Sequence, residues 1–154
     1  MKLTRKEFLK LSASAGAALA MGAMGAMGST DPANAAQPMA RRAIPKSGEM
    51  LPVVGLGTSR VFDVAGEPEE MAERRKVMQT LFDGGGSVID SAPTYGNSET
   101  IAGRLLDQMG ARDKTFIATK ISTWGDREDG LNQMKGSMGR WHTGKIDLMQ
   151  VHNL

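Results

Sequence analysis

Residues 87–99, SVIDSAPTYGNSE, contain the pattern from which the fold can be predicted. This stretch begins as a short buried strand that ends in Asp90, continues as a loop that carries Tyr95, and leads into a helix that Asn97 or Ser98 can cap. An ionisable side chain at the carboxyl end of a strand, followed by a tyrosine on the next loop, is typical of enzymes built on β/α barrels. We therefore expect chemistry at this point of the chain.

Apolar strands and helices alternate on both sides of this stretch. The centres of the predicted strands are about 30 residues apart, which is the size of one βαβ unit. Such an alternation favours an α/β fold with a parallel sheet. The predicted strands are 53–57 (expected to be buried on both faces), 87–90, 114–120 and 146–151. The predicted helices are 69–82, one that begins after residues 97–99 and ends before Gly110, and one at about 128–141.

Polar side chains stand where the predicted strands end, namely Thr58, Asp90, Lys120 and His152. Neighbouring strands are only about 5 Å apart, so these side chains can converge with Tyr95 at one edge of a parallel sheet. A lysine beside an aspartate keeps its charge, and a lysine beside a tyrosine favours the ionised phenol, which makes the tyrosine a general acid. A neutral histidine beside it can donate a hydrogen bond to a carbonyl oxygen.

Each of these residues also has an explanation without function. Asp90 can cap a loop, Lys120 can be a solvated strand end, and Tyr95 can simply pack against its neighbours. Their joint placement at the ends of consecutive strands favours an active site. His142 has no such placement, and we expect it to be a surface residue.

The charge distribution argues against a nucleic-acid-binding protein. The 154 residues carry a formal net charge of +2, with 19 basic and 17 acidic residues. Four of the basic and two of the acidic residues lie in residues 1–35, which leaves 15 of each sign and a neutral remainder. A nucleic-acid-binding domain would keep a basic surplus on its folded part. The absence of cysteine excludes disulfides and thiolate metal sites, and we expect no metal site.

Residues 1–35 have the features of an export signal. An uncharged run of mostly Ala, Gly, Met and Leu covers residues 11–27, and Ala33-Asn34-Ala35 predicts a cut before Ala36. Residues 4–10, TRKEFLK, resemble the twin-arginine (Tat) signal S/T-R-R-x-F-L-K, with Lys6 in place of the second arginine. Basic residues precede the run at Lys2, Arg5, Lys6 and Lys10.

This segment predicts a protein that the Tat or Sec machinery exports to the periplasm. Two alternatives stay open: a retained membrane anchor, for which the run is short and rich in glycine, and a disordered cytoplasmic tail. Residues 36–50 are expected to form a linker with a turn or hairpin around Ser47-Gly48, and residues 51–154 form the domain.

Four motifs, in order, resemble those of the aldo/keto reductases. Residues 85–99 match the pattern G-x-x-x-x-D-T/S-A-x-x-Y-G-x-x-E. Residues 52–58, PVVGLGT, resemble the start of the family's barrel, and residues 116–120, FIATK, resemble its third strand with the catalytic lysine. Residues 146–153, IDLMQVHN, resemble its fourth strand. The resemblance runs from about residue 44 to the end of the chain.

The resemblance implies an oxidoreductase that reduces aldehyde and ketone carbonyls to alcohols. It places the family's catalytic tetrad on Asp90, Tyr95, Lys120 and His152. Tyr95 would give a proton to the carbonyl, Lys120 paired with Asp90 would favour that transfer, and His152 would orient the carbonyl. Hydride would come from NADPH or NADH, with the cofactor-binding residues Gly57, Thr58 and Asp90.

The resemblance also implies a (β/α)8 barrel, the TIM barrel, of which this chain holds about the first four strands and three helices. A complete barrel needs roughly 250 residues, so we interpret the chain as a truncated or fragmentary aldo/keto reductase. Two alternatives stay open. One is a non-catalytic binding or regulatory relative, or an inactive fragment, and the other is a half barrel that self-associates through its open edges.

Overall fold

The computed structural model describes residues 38–122 and 124–153. The predicted export signal and its cleavage site lie outside the described residues. Within the described part, no helix combines the length and the apolar character that a membrane span needs.

A β-hairpin opens the described chain. Strands β1 (Arg41–Ala43) and β2 (Met50–Pro52) pair antiparallel. The chain reverses between them at Gly48, whose φ of +74° is a left-handed conformation that glycine adopts without steric cost. The turn therefore lies where the Ser47-Gly48 pair predicts it.

A four-stranded parallel sheet forms the rest of the scaffold, in the order β3-β4-β5-β6. Three helices connect its strands. The sheet confirms the predicted α/β fold, and its strands and helices are β3 (Gly55–Gly57), α1 (Pro68–Asp83), β4 (Val88–Asp90), α2 (Ser98–Gln108), β5 (Phe116–Ile121), α3 (Arg127–Arg140) and β6 (Leu148–Val151).

The first strand of the sheet is shorter than predicted. The backbone N–H of Val53 donates to Ala40 at the hairpin, so Val53 continues the hairpin and not the sheet. Val53 and Val54 are each 51% exposed, and the expectation of a strand buried on both faces is wrong for them. The parallel sheet begins at Gly55, which pairs with Val88.

Glycines follow the last turn of α1 and end that helix, but the predicted side-chain cap of α2 is wrong. After α1, Gly85 takes a φ of +85° and Gly86 N–H donates to the carbonyl of Leu81, a bond that closes the last turn. Neither Asn97 nor Ser98 caps α2 with its side chain. The Asn97 amide and the Ser98 hydroxyl instead donate to backbone carbonyls of the loop after β3.

Apolar side chains of the helices and the sheet form one core. Two methionines of α1, the apolar stripe of α2 and the inner faces of β4 and β5 meet there. Burial of each large apolar side chain contributes about 1.5–3 kcal/mol. The largest buried members are Phe62, Met71, Met78, Ile89, Ile101, Leu105, Leu106, Ile117 and Trp141.

A buried carboxylate lies at the centre of the helix–sheet interface. Glu99, in the first turn of α2, is fully buried and accepts four hydrogen bonds. Its donors are Thr119 Oγ1 on β5 (2.5 Å), Ser137 Oγ (3.1 Å) and Arg140 Nε (2.7 Å) on α3, and the Trp141 indole (3.1 Å). Since a buried charge is costly unless it is paired and hydrogen-bonded, this set of donors ties α2, β5 and α3 together.

Helices α2 and α3 touch at Gly103. A Cβ on this residue would lie 2.2 Å from the carbonyl oxygen of Arg140 and 3.0 Å from Trp141 Cα. Only glycine permits this approach, which brings the Trp141 indole within reach of Glu99.

We expect Gly103→Ala to lower the free energy of unfolding by about 1–3 kcal/mol, because the new methyl group meets backbone that cannot move aside easily. The matched control is Gly139→Ala in α3, where a Cβ meets no heavy atom within 4 Å. That variant should raise stability by about 0.5 kcal/mol through helix propensity. Urea unfolding followed by circular dichroism measures both, and an equal effect of the two variants would contradict the close approach.

We expect Glu99→Gln to lower the free energy of unfolding by about 2–3 kcal/mol, because it keeps the volume but removes the counter-charge of Arg140 and one acceptor oxygen. The value lies below that for a fully buried pair, since the Arg140 side chain is 35% exposed. Glu69→Gln, on the exposed first turn of α1, is the control and should change stability by less than about 0.5 kcal/mol. The same urea unfolding checks this, and a control-sized effect at Glu99 would refute the role of the carboxylate.

Candidate active site

An ion pair joins the ends of β4 and β5. Lys120 Nζ lies 2.5 Å from Asp90 Oδ1 and 2.7 Å from the carbonyl oxygen of Ser91, to which it also donates. The Lys120 side chain is 12% exposed and that of Asp90 37%, so water is largely kept from the lysine but reaches the carboxylate. The lysine is therefore held at one point by two acceptors.

Tyr95 and His152 meet beside this ion pair. Tyr95 Oη lies 3.3 Å from His152 Nε2, and the two rings pack edge to face with centroids 5.5 Å apart. Lys120 Nζ stands 5.2 Å from the centre of the Tyr95 ring. Three of the side chains predicted at strand ends, Asp90, Lys120 and His152, thus lie in one cluster with the loop residue Tyr95, at the carboxyl edge of the sheet.

The other ring nitrogen of His152 faces two hydroxyls. Ser122 Oγ lies 2.7 Å from Nδ1, and Thr94 Oγ1 lies 3.3 Å from it. Hydroxyls both donate and accept, so they can bond to either neutral tautomer of the ring. The imidazole is therefore held from both sides, with Nε2 directed at the phenol.

Gln150 binds the second oxygen of the Asp90 carboxylate, a contact that the sequence did not lead us to predict. Its Nε2 donates to Asp90 Oδ2 at 2.9 Å, so both carboxylate oxygens of Asp90 have partners. Gln150 pairs with Lys120 in the register of β5 and β6. Alternate residues of a strand share a face. Gln150 lies two positions before His152, and Ser122 lies two positions after Lys120, so this spacing could have predicted that both residues border the site.

Gly57, the last residue of β3, and Thr58, which follows it, are two of the predicted cofactor-binding residues. They differ in their surroundings. Gly57 is exposed, and a Cβ there would meet nothing within 4 Å. Thr58 is fully buried, and its hydroxyl contacts the carbonyl oxygen of Asp90 (3.1 Å) and Ser91 Oγ (2.8 Å). Gly57 thus leaves open space at the sheet edge, while Thr58 supports the backbone of Asp90. Contact with a cofactor stays a prediction for both.

His142 lies apart from this cluster. It is exposed, as predicted, and follows the end of α3 with a left-handed φ of +51°. Its Nδ1 contacts Asp107 near the end of α2. That contact lowers the pKa of Asp107, burial acts against the shift, and Arg112 adds to it. Among residues 38–122 and 124–153, no group of three or more His, Asp or Glu side chains is placed to hold a metal ion.

Several known proteins with similar sequences or structures are aldo/keto reductases. A sequence model of the aldo/keto reductase family matches residues 53–154. The chain is 30% identical over 110 residues to the aldo-keto reductase YhdN of Bacillus subtilis, an alignment that covers 64% of this chain and 33% of the relative. It is 31% identical over 97 residues to D-arabinose 1-dehydrogenase of Saccharomyces cerevisiae, covering 57% and 29%.

Solved structures agree with the sequence match. An aldo-keto reductase from Pseudomonas aeruginosa is 28% identical with a TM-score of 0.62, covering 73% of this chain and 46% of that one. A Bombyx mori aldo-keto reductase in complex with NADP is 25% identical with a TM-score of 0.57, covering 75% and 38%. The chain spans about a third of the length of the curated relatives it matches. The family match covers most of the described domain and confirms the resemblance of the four motifs, so this chain belongs to the aldo/keto reductase family.

Proposed function

We propose that this chain carries the catalytic part of an NAD(P)H-dependent oxidoreductase that reduces aldehyde and ketone carbonyls to alcohols. The observation that carries the proposal is the convergence of four side chains from three successive strands and one loop. Lys120 Nζ lies 2.5 Å from Asp90 Oδ1, and Tyr95 Oη lies 3.3 Å from His152 Nε2. A phenol held beside an imidazole and an ammonium group in this way is suited to act as a general acid toward a carbonyl oxygen.

In this proposal Tyr95 gives its phenolic proton to the carbonyl oxygen as negative charge develops there. The positive charge of Lys120, 5.2 Å from the ring centre, stabilises the phenolate that remains. Asp90 holds that lysine in place through the ion pair at 2.5 Å. His152 Nε2, directed toward the phenol, is placed to donate a hydrogen bond to the same carbonyl oxygen.

A nicotinamide cofactor, NADPH or NADH, supplies the hydride when it is bound. The Bombyx mori relative, which was solved with NADP, supports this choice of cofactor. Gly57 fits the nicotinamide end, because the space above its Cα is open. We propose that Gly57 and Asp90 border the ring, while Thr58, whose hydroxyl is bonded inside the protein, holds the backbone of Asp90.

Tyr95→Phe should lower turnover of a generic aldehyde by at least about 100-fold, because it removes the acidic proton and keeps the ring. NADPH oxidation by the 154-residue chain, followed by absorbance, measures this. Turnover that survives Tyr95→Phe would exclude Tyr95 as the proton donor. A folded wild-type chain that does not oxidise NADPH with any simple aldehyde would contradict the proposed activity for this chain.

The sequence contains two histidines, so the effect of replacing His152 on turnover can be compared with that of replacing His142. His152→Gln removes the ring beside Tyr95 and should lower turnover strongly. His142→Gln changes an exposed residue whose contact is with Asp107, and turnover should be unchanged.

We further propose that residues 1–35 direct the protein to the periplasm through the Tat or Sec machinery. The motif TRKEFLK and the Ala33-Asn34-Ala35 site support this. A folded protein that the Tat route exports can carry its cofactor with it. Self-association of the domain stays a prediction; the exposure of Leu148 and Val151 on β6 is consistent with it.

In a bacterial host with both export routes, the periplasmic protein should begin at Ala36 by N-terminal sequencing. Replacing Arg5 and Lys6 together by Gln should keep the protein in the cytoplasm if the Tat machinery exports it, since both lie in the motif that resembles a Tat signal, and continued export would assign the Sec machinery. Lys2→Gln, outside the motif, is the control and should leave export intact. An uncut chain found in the cytoplasm of cells that express the wild type would contradict export.

A further inference from the structure

Two loops meet next to Tyr95, the loop between β3 and α1 and the loop between β4 and α2. The carboxylate of Asp63, on the first loop, accepts a hydrogen bond at 2.9 Å from the backbone N–H of Asn97 on the second. The Asn97 side chain donates in return to the carbonyl oxygen of Val64 at 3.1 Å. The two loops are thus joined two residues after the proposed proton donor.

Gly96, between Tyr95 and Asn97, makes this contact possible. Its φ of +55° lies in the left-handed region, and a Cβ on it would stand 2.1 Å from Asp63 Oδ1 and 2.3 Å from Asp63 Cγ. A side chain at position 96 would therefore displace the carboxylate. The same glycine gives the backbone next to Tyr95 a conformational freedom that something else must remove.

Asp63 is itself held by the core. Its neighbour Phe62 is fully buried, and the Phe62 backbone N–H donates to the carbonyl oxygen of Thr58 at 3.1 Å. Thr58 in turn donates its N–H to the carbonyl oxygen of Asp90 at 3.0 Å. The acceptor that fixes Asn97 is therefore presented by a segment anchored both to the core and to the strand end that carries Asp90.

The backbone of Tyr95 has hydrogen bonds within its own loop, and these do not fix the loop to the rest of the protein. Its N–H donates to the carbonyl oxygen of Ala92, and its carbonyl oxygen accepts from the N–H of Ser98. The bond from Asp63 to Asn97 connects this short turn to a second element. Like the bond from the Asn97 side chain to Val64, it lies directly after Gly96, at the end of the turn that carries Tyr95.

We propose that Asp63 is a positioning residue for Tyr95, an inference that rests on the proposed carbonyl reduction. Asp63 acts through the backbone of residues 96 and 97 and holds the phenol at its distances from the imidazole and the ammonium group. What the contact requires is an acceptor oxygen, since the donor is a neutral backbone amide. A displacement of about 1 Å at a reacting group can cost up to about 100-fold in rate, so a contact of this kind matters for turnover.

The sequence contains a single tyrosine, which makes the test direct. With ring-13C-labelled tyrosine, the protein gives one set of NMR signals, from Tyr95 alone. Asp63→Ala removes the acceptor and should shift and broaden these signals toward those of a mobile, solvated tyrosine. Asp63→Asn keeps an acceptor oxygen at the same position and should restore the wild-type signals. Asp113→Ala, an exposed aspartate before β5, is the control and should leave them unchanged.

Turnover provides the second readout. Asp63→Ala should lower kcat on the order of tenfold with little change in KM, while Asp63→Asn and Asp113→Ala stay near wild type. An unchanged Tyr95 signal in Asp63→Ala, or an Asp63→Asn variant as impaired as Asp63→Ala, would overturn the proposal. If the wild type has no turnover but Asp63→Ala still moves the Tyr95 signal, the proposed function fails and the positioning of Tyr95 by Asp63 stands. Because Asp63 is exposed, both variants are expected to fold.

Discussion

The carboxylate of Glu99 joins helices α2 and α3 to strand β5. It is fully buried, and a buried charge is tolerated only when its oxygens are satisfied. Its four donors come from β5, α3 and the residue after α3, so the helices and the sheet have one relative position that satisfies them. The close approach of the helices at Gly103 belongs to the same arrangement, because it brings the Trp141 indole to the carboxylate. The start of α2, and with it the end of the loop that carries Tyr95, is thereby fixed.

The alternation of side chains along a strand connects this buried interface to the site. Thr119, which donates to Glu99, and Lys120, which pairs with Asp90, are neighbours on β5 and point to opposite faces of the sheet. The face of the sheet that packs on the helices is thus bonded to the buried Glu99 carboxylate, while Lys120 lies on the opposite face. Gln150, paired with Lys120 on the next strand, extends the second face and occupies the remaining oxygen of Asp90. The geometry of the site therefore follows from packing on the reverse side of the same strands.

The sequence predicts what depends on local pattern. Apolar runs, glycine stops and spacing place the strands and helices, and the strand ends place Asp90, Lys120 and His152 near Tyr95. It misses contacts between segments far apart in the chain. Glu99 and Arg140 are separated by 41 positions and Asp63 and Asn97 by 34, and no local periodicity links such pairs. Asn97 is of a residue type that often caps helices, but its side chain donates to the carbonyl oxygen of Val64 on another loop. A tertiary contact thus replaces the local one. Val53 and Val54 are residue types typical of a buried strand, but Val53 bonds to the hairpin before the sheet, and both side chains are exposed.

Tyr95 and His152 lie together as parts of one preformed site. The chain has one tyrosine and two histidines, so an NMR measurement of nuclear Overhauser effects between their ring protons is free of ambiguity. With ring centroids 5.5 Å apart, we expect an effect between Tyr95 and His152 and none between Tyr95 and His142. A Tyr95 ring that shows no effect to His152 in the folded protein would contradict it.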